Sequence, residues 1–212
     1  MKIPHVHRIS TTLKLTGHPL YREAKKGNPD SALTVVQDIV QDKSRFHSLN
    51  GYICPVLKHK GNQIPFALAR YMASCSNLIL CDSIYLQHTP HGSSMVERLH
   101  YQPCFSGMVK PKNYIIVDDV YTSGKTLKSL KNYIESKGGN VISAWCIGSG
   151  PSLEFEPTRL LIKILVAKFP NIHRYFNLND LTTPQIQYLL RLSSLNRLWT
   201  IYSKNQERLL FA

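Results

Sequence analysis

Acidic side chains are scarce in this sequence: 13 Asp and Glu stand against 26 Lys and Arg, for a net charge of +13. Such a balance attracts polyanions, whether nucleic acid, an anionic membrane surface or a phosphorylated metabolite. The cations are spread from Lys2 to Arg208 rather than gathered in a tail, so a solvated, solubilising surface explains them as well. Cysteine is sparse too. Cys54, Cys75, Cys81, Cys104 and Cys146 form an odd set of five without a C-x-x-C pair, which argues against a disulfide framework and a zinc ribbon. No stretch of 18 apolar residues occurs, and Met1 to Leu20 is polar and broken by Pro4, Gly17 and Pro19. Neither a membrane span nor a signal peptide is expected, and a reducing, cytoplasmic setting is.

What is present suits one globular domain with a small appended lobe: 212 residues, 43% hydrophobic and 18% charged. Leu20 to Lys26 reads as a short helix. Asn28 reads as the N-cap of a second, with Pro29 at its first position and Leu33, Val36, Ile39 and Val40 as its apolar stripe, ending near His47. Tyr52 to Leu57 is a buried strand, Gln63 to Ala73 a helix, and Leu78 to Leu86 a strand. Gln87 to Pro103 has no period and reads as a loop long enough to be a lid. Tyr114 to Val117 is the clearest strand, expected to end at Asp118-Asp119. A helix over Lys125 to Lys137 follows, closed by Gly138-Gly139, and then a strand over Val141 to Ile147. Beyond Gly148, Leu160 to Ala167 is helix or strand, Thr183-Pro184 opens a helix through Leu190, and a last helix covers about Asn196 to Leu210.

Strands alternating with helices predict an α/β fold, a mostly parallel sheet flanked by helices, with an α-rich C-terminal lobe. The expected divisions are a helical N-terminal segment (1–50), a core (51–147) and a hood or cap (148–212). Ligands of such sheets bind beyond the carboxyl ends of the strands, where the loops 58–61 and 118–126 fall.

The second of these loops carries the chemistry. Asp118 and Asp119 repel each other unless a cation or hydroxyl-rich ligand answers them. Thr122, Ser123, Gly124, Lys125 and Thr126 then enter a helix whose first N–H groups and dipole cradle a phosphate. A sugar with vicinal hydroxyls and a 5′-phosphate satisfies both halves; an ordinary N-capped strand–turn–helix junction is the plain alternative. Ser-Gly-Lys-Thr suggests a nucleotide-triphosphate loop, but that motif needs Gly where Asp119 stands.

Val117 to Thr126 resembles the phosphoribosyl-diphosphate signature of type I phosphoribosyltransferases, in wording nearest to competence-protein-F-like and orotate-type members. More weakly the resemblance covers Gly51 to Ile147, and similar uncharacterised bacterial phosphoribosyltransferase-like proteins share the Leu181-Thr182 to Gln185 pattern. It implies that Asp118 and Asp119 hold the ribose hydroxyls with Mg²⁺ nearby, and that Thr122 to Thr126 bind the 5′-phosphate. Lys58-His59-Lys60-Gly61 looks like the diphosphate loop, and Thr89 to Gly107 like the catalytic loop with Arg98 at its tip. Lys58, Lys60 and Arg98 would then neutralise the departing diphosphate. Thr122 stands where hypoxanthine-type enzymes carry an Asp, which disfavours hypoxanthine or guanine as acceptor.

The implied activity is transfer of phosphoribosyl from 5-phosphoribosyl 1-diphosphate to an unidentified nitrogenous base or amine. The implied partners are those two small molecules, and relatives of this kind are often homodimers. The alternative is a noncatalytic sensor binding the same ligand or a nucleotide and contacting nucleic acid, for which no motif speaks. His88, His91, His100 and Cys104 match no zinc spacing.

Overall fold

Runs such as Tyr114-Ile115-Ile116-Val117 are apolar on both faces, as a strand sandwiched between helix layers requires. In the computed structural model, which describes residues 5–58, 61–87, 99, 103–149 and 157–195, five such stretches form one parallel sheet. They are β1 (Val6–Arg8), β2 (Asn50–Pro55), β3 (Asn77–Leu80), β6 (Asn113–Tyr121) and β7 (Asn140–Ser149), in the order β1-β7-β6-β2-β3. A two-stranded antiparallel ribbon, β4 (Ile84–Leu86) with β5 (Phe105–Gly107), lies beside it.

Side chains on alternate strand positions feed two cores. Ile53, Ile115, Val117, Trp145 and Ile147 meet the first, beneath α1 (Thr12–Thr16), α2 (Tyr21–Lys26), α3 (Pro29–Ile39) and α4 (Ile64–Ser74). Cys54, Tyr114, Ile116, Ala144 and Cys146 meet the second, with Leu127, Leu130 and Ile134 of α5 (Lys125–Ser136) and with the ribbon. The chain therefore travels from β2 through α4 to β3 on one face, and from β6 through α5 to β7 on the other. Right-handed crossovers that leave in opposite directions must use opposite faces. The strand order reverses between β2 and β6, and a crevice opens at their carboxyl ends.

A third core belongs to the C-terminal lobe. Leu165 of α6 (Arg159–Lys168) meets Phe169, Ile172, Phe176 and Leu181, and Ile186 and Leu189 of α7 (Thr183–Leu190). Leu160 to Ala167 is thus helical, entered through Thr158, whose hydroxyl accepts the Leu161 N–H at 3.2 Å. The N-terminal segment supplies the edge strand β1 as well as helices, and it shares the first core.

Three expectations shift. α3 starts as expected, with Asn28 accepting the Ser31 N–H at 2.9 Å, but stops at Ile39 rather than near His47. Asp42 turns the chain by accepting from the Ser44 N–H at 3.1 Å, a local bond that competes with helix. The buried stripe of α3 runs through Ala32, Val35 and Val36, with Leu33 exposed. Leu78 to Leu86 is two strands, because Asp82-Ser83 breaks the run and Ser83 bonds the Met108 carbonyl at 3.1 Å. β6 continues through both acids to Tyr121, since β7 pairs with it as far as Ser149. Among the described residues no helix is long and apolar enough to cross a membrane. The helix expected over 196–210 lies outside the described residues.

Candidate functional site

A cleft of about 260 Å³ sits at the switch point between β2 and β6. Its floor is Asp118 and Asp119 on β6; Thr122, Ser123 and Thr126 lead away on one side, and Val56, Lys58 and Asn62 face them from the end of β2. Thr12 and Thr16 of α1 and Tyr21 and Lys25 of α2 close the remaining wall. A smaller notch of about 30 Å³ continues between Asp118, Thr122, Ser123, Gly124 and Thr126.

The turn into α5 leaves its N–H groups aimed at that notch. Gly124, at the N-cap position, has φ +73 and no side chain to accept from the helix. A Cβ there would lie 2.6 Å from the Tyr121 hydroxyl. Only glycine takes this left-handed turn against an aromatic ring without strain. Among the described residues the Lys125 N–H makes a long contact to Ser123 Oγ at 3.4 Å and no side chain caps the helix, so its first N–H groups need an acceptor. An anion answers that need.

The acid pair is asymmetric. Asp119 is only 5% exposed, and its Oδ2 lies 2.6 Å from Lys25 Nζ. Asp118 Oδ1 accepts the Asp119 N–H at 2.9 Å. Burial, then the charge of Asp119 and the hydrogen bond they share, push the Asp118 carboxyl well above the usual carboxylate range. Burial pushes Asp119 the same way, but the Lys25 ammonium, by charge and hydrogen bond, outweighs it and holds that carboxylate low. Burial would lower Lys25, yet Asp119 raises it. The ammonium thus sits against Asp119 alone, and the two acids differ in their surroundings.

Lys25 was not among the residues expected from sequence. A signal existed: Tyr21 and Lys25 stand four apart on α2, as Thr12 and Thr16 do on α1, so each pair shares one helix face. Gly27 (φ +111) then ends α2 within 3.3 Å, at its hypothetical Cβ, of the Gly61 carbonyl. That close approach holds the loop after β2 against α2.

Of the expected residues, the structure brings Asp118, Asp119, Thr122, Ser123, Thr126 and Lys58 to the cleft, and Gly124 to the notch. Gly61 stands behind the loop, against Gly27. Lys125 lines neither the cleft nor the notch. The residue is 4% exposed, and its Nζ donates to the Asp180 carbonyl at 3.1 Å. His59, Lys60 and Arg98, and with them most of the expected lid over 89–107, lie outside the described residues.

Behind the loop, the C-terminal lobe grips it from the side away from the cleft. Thr182 donates its hydroxyl to the Ser123 carbonyl. Lys128 Nζ donates to the carbonyls of Asn179, at 2.5 Å, and Leu181, at 2.9 Å. Gln185 Oε1 accepts the Thr182 N–H at 3.0 Å, which closes a capping box at the start of α7.

As a metal site the acid pair is poorly suited. A Mg²⁺ ion needs near-octahedral oxygen ligands at about 2.0–2.1 Å. Here Asp119 already holds an ammonium, whose positive charge opposes a second cation beside it, and one Asp118 oxygen accepts a main-chain N–H.

No family model matches the chain. It is 34% identical over 153 residues to protein TraN of Escherichia coli, across 66% of this chain and 34% of that protein. It is 37% identical over 132 residues to an uncharacterized protein of Haemophilus influenzae, across 56% of this chain and 29% of that one. The chain therefore spans about a third of the length of the curated relatives it matches. Solved structures similar to it include an adenine phosphoribosyltransferase from Leishmania donovani, at TM-score 0.39 and 11% identity over 86% of this chain and 79% of that one. Also similar are a hypoxanthine phosphoribosyltransferase from Staphylococcus aureus, at 0.37 and 13% over 62% and 70%, and an orotate phosphoribosyltransferase from Aeropyrum pernix, at 0.31 and 15% over 65% and 64%.

Proposed function

We propose that the cleft binds 5-phosphoribosyl 1-diphosphate and that the chain is a phosphoribosyltransferase, passing the phosphoribosyl group to a nitrogenous base or amine. One observation carries this reading: an acid pair and an uncapped helix N-terminus share one cleft at a topological switch point. Vicinal ribose hydroxyls donate to Asp118 and Asp119, and the 5′-phosphate accepts from the Thr122 to Thr126 turn. The cleft volume, about 260 Å³, lies near the lower end for small-molecule sites. It suits a pentose phosphate better than a dinucleotide.

In the reaction an acceptor nitrogen supplies the electron pair for a new bond to C1, the C1–oxygen bond breaks, diphosphate leaves with that bond's electrons, and the proton on the acceptor nitrogen passes to solvent. Positive charge builds on the ring as the bond lengthens. The residues have little covalent work to do; fixing both reactants and answering charge supply most of the acceleration. Asp118 and Asp119 hold the ring, and the α5 N-terminus anchors its far end. Lys58, on the β2 side of the cleft, faces the departing diphosphate.

The double variant Asp118→Asn with Asp119→Asn is expected to lose calorimetric binding of 5-phosphoribosyl 1-diphosphate while keeping its circular dichroism. Unchanged affinity removes the ribose assignment. Diphosphate release across a panel of bases and amines then tests transfer, and binding without release from any of them would leave a sensor in place of an enzyme.

A further inference from the structure

We infer that Lys25 is the resident cation of the acid pair, so that this chain holds the ring of a phosphorylated pentose at Asp118 and Asp119 without a divalent metal ion there. The geometry is that of a built site. Lys25 Nζ lies 2.6 Å from Asp119 Oδ2, with the Asp119 side chain almost wholly buried and Lys25 partly open to the cleft. The ammonium is held by Asp119 and by Tyr21, whose ring lies 5.8 Å away, and α2 is tied to the loop after β2 where the Gln63 N–H donates to the Ala24 carbonyl at 3.1 Å.

An ammonium has three donors. One goes to Asp119 and a second to the Tyr21 hydroxyl, and since Lys25 lines the same cleft, the third can reach a sugar hydroxyl or phosphate oxygen. A carboxylate accepts about four hydrogen bonds, so Asp119 holds Lys25 and a ribose hydroxyl together. A divalent ion seated on the pair would have to displace the ammonium and stand within a few ångströms of it. Like charges so close repel strongly. Lysine and metal are alternatives at this position, and the sequence has supplied the lysine.

Two titrations test this, and only the second depends on the pentose reading. In the first, Mn²⁺ alone is added to the full chain and followed by electron paramagnetic resonance. The parent is expected to show no site that Asp119→Asn removes, whereas Lys25→Met gains one that the further Asp119→Asn change abolishes. A parent site lost in Asp119→Asn overturns the inference. In the second, ribose 5-phosphate, which lacks the diphosphate and so brings little metal of its own, is titrated by calorimetry in chelator and in millimolar Mg²⁺. The parent affinities should agree within about twofold, while Lys25→Met in chelator loses about tenfold or more, the scale of one charge-assisted hydrogen bond, and Lys25→Arg recovers part of it. Metal-dependent binding by the parent, or full affinity in Lys25→Met, overturns the inference. No binding under either condition refutes the pentose reading, and the Mn²⁺ titration still decides the role of Lys25.

Discussion

Two appended regions meet the sheet at the same loop, yet they act on it differently. The N-terminal α1–α2 segment sends side chains into the cleft: two hydroxyls, an aromatic ring and a cation. Carbonyls of the C-terminal lobe instead receive Lys125 and Lys128 from behind, and its Thr182 bonds the main chain of Ser123. Side chains that face a ligand discriminate; bonds to the back of a loop fix its shape. Among the described residues, the helices that line the cleft from outside the sheet are α1 and α2. Two lysines make the same point. Lys25, beside a carboxylate, is raised above its ordinary range, whereas burial lowers Lys125, offset only in part by the charge of Asp180.

If that division holds, substitutions behind the loop should cost stability first and affinity second. Lys128→Met strips donors from the Asn179 and Leu181 carbonyls. A loss of about 2–4 kcal/mol is expected, visible as a fall of roughly 5–10 °C in the unfolding midpoint, with ribose 5-phosphate affinity down only a few-fold. An affinity loss that outruns the stability loss would place Lys128 in ligand binding instead. Thr182→Val should cost about 1–2 kcal/mol and Thr182→Ser almost nothing, because the serine keeps the bond to Ser123.

On the cleft side the signs differ. Burial and its neighbour's charge hold the Asp118 carboxyl above its ordinary range, so the fold favours its protonated form. The stability from that group is present below the unfolded pKa of about 3.9 and is lost as pH rises through the folded value. Asp118→Asn removes the titration. Its melting temperature should therefore gain on the parent's as pH rises from about 4 to 8, even as ribose affinity falls. A constant difference across that range would mean that Asp118 ionises freely. The smallest effect belongs to Thr16→Val: stability within about 0.5 kcal/mol, with a changed ranking among acceptor bases in the diphosphate-release assay.

How far the residues alone announced all this varies with the range of the interactions. Val117 to Thr126 was legible because its signals are local: an apolar run, two acids, and then a glycine that nothing but a left-handed turn requires. Even there the strand runs further than its apolar residues suggest, since pairing with β7 carries β6 past the acids. Lys125 was expected at the ligand because it sits in the loop; which way its side chain turns is decided by Asp180, 55 positions away. Lys25 was passed over for the same reason in reverse, its partner lying 94 positions on. Local periodicity places a residue on a face of its helix, and only the assembled sheet says what that face meets.

The acids sit on β6, a strand of nine residues, directly after the stretch Tyr114 to Val117 that is hydrogen-bonded on both sides, by β2 and by β7; at the acids themselves only β7 continues the pairing. Amide protons in that stretch should be among the last in the molecule to trade with deuterated water. Heating will therefore not melt this floor of the cleft ahead of the body of the protein: whatever Asp118 and Asp119 hold should be released in the same cooperative step that dismantles the sheet.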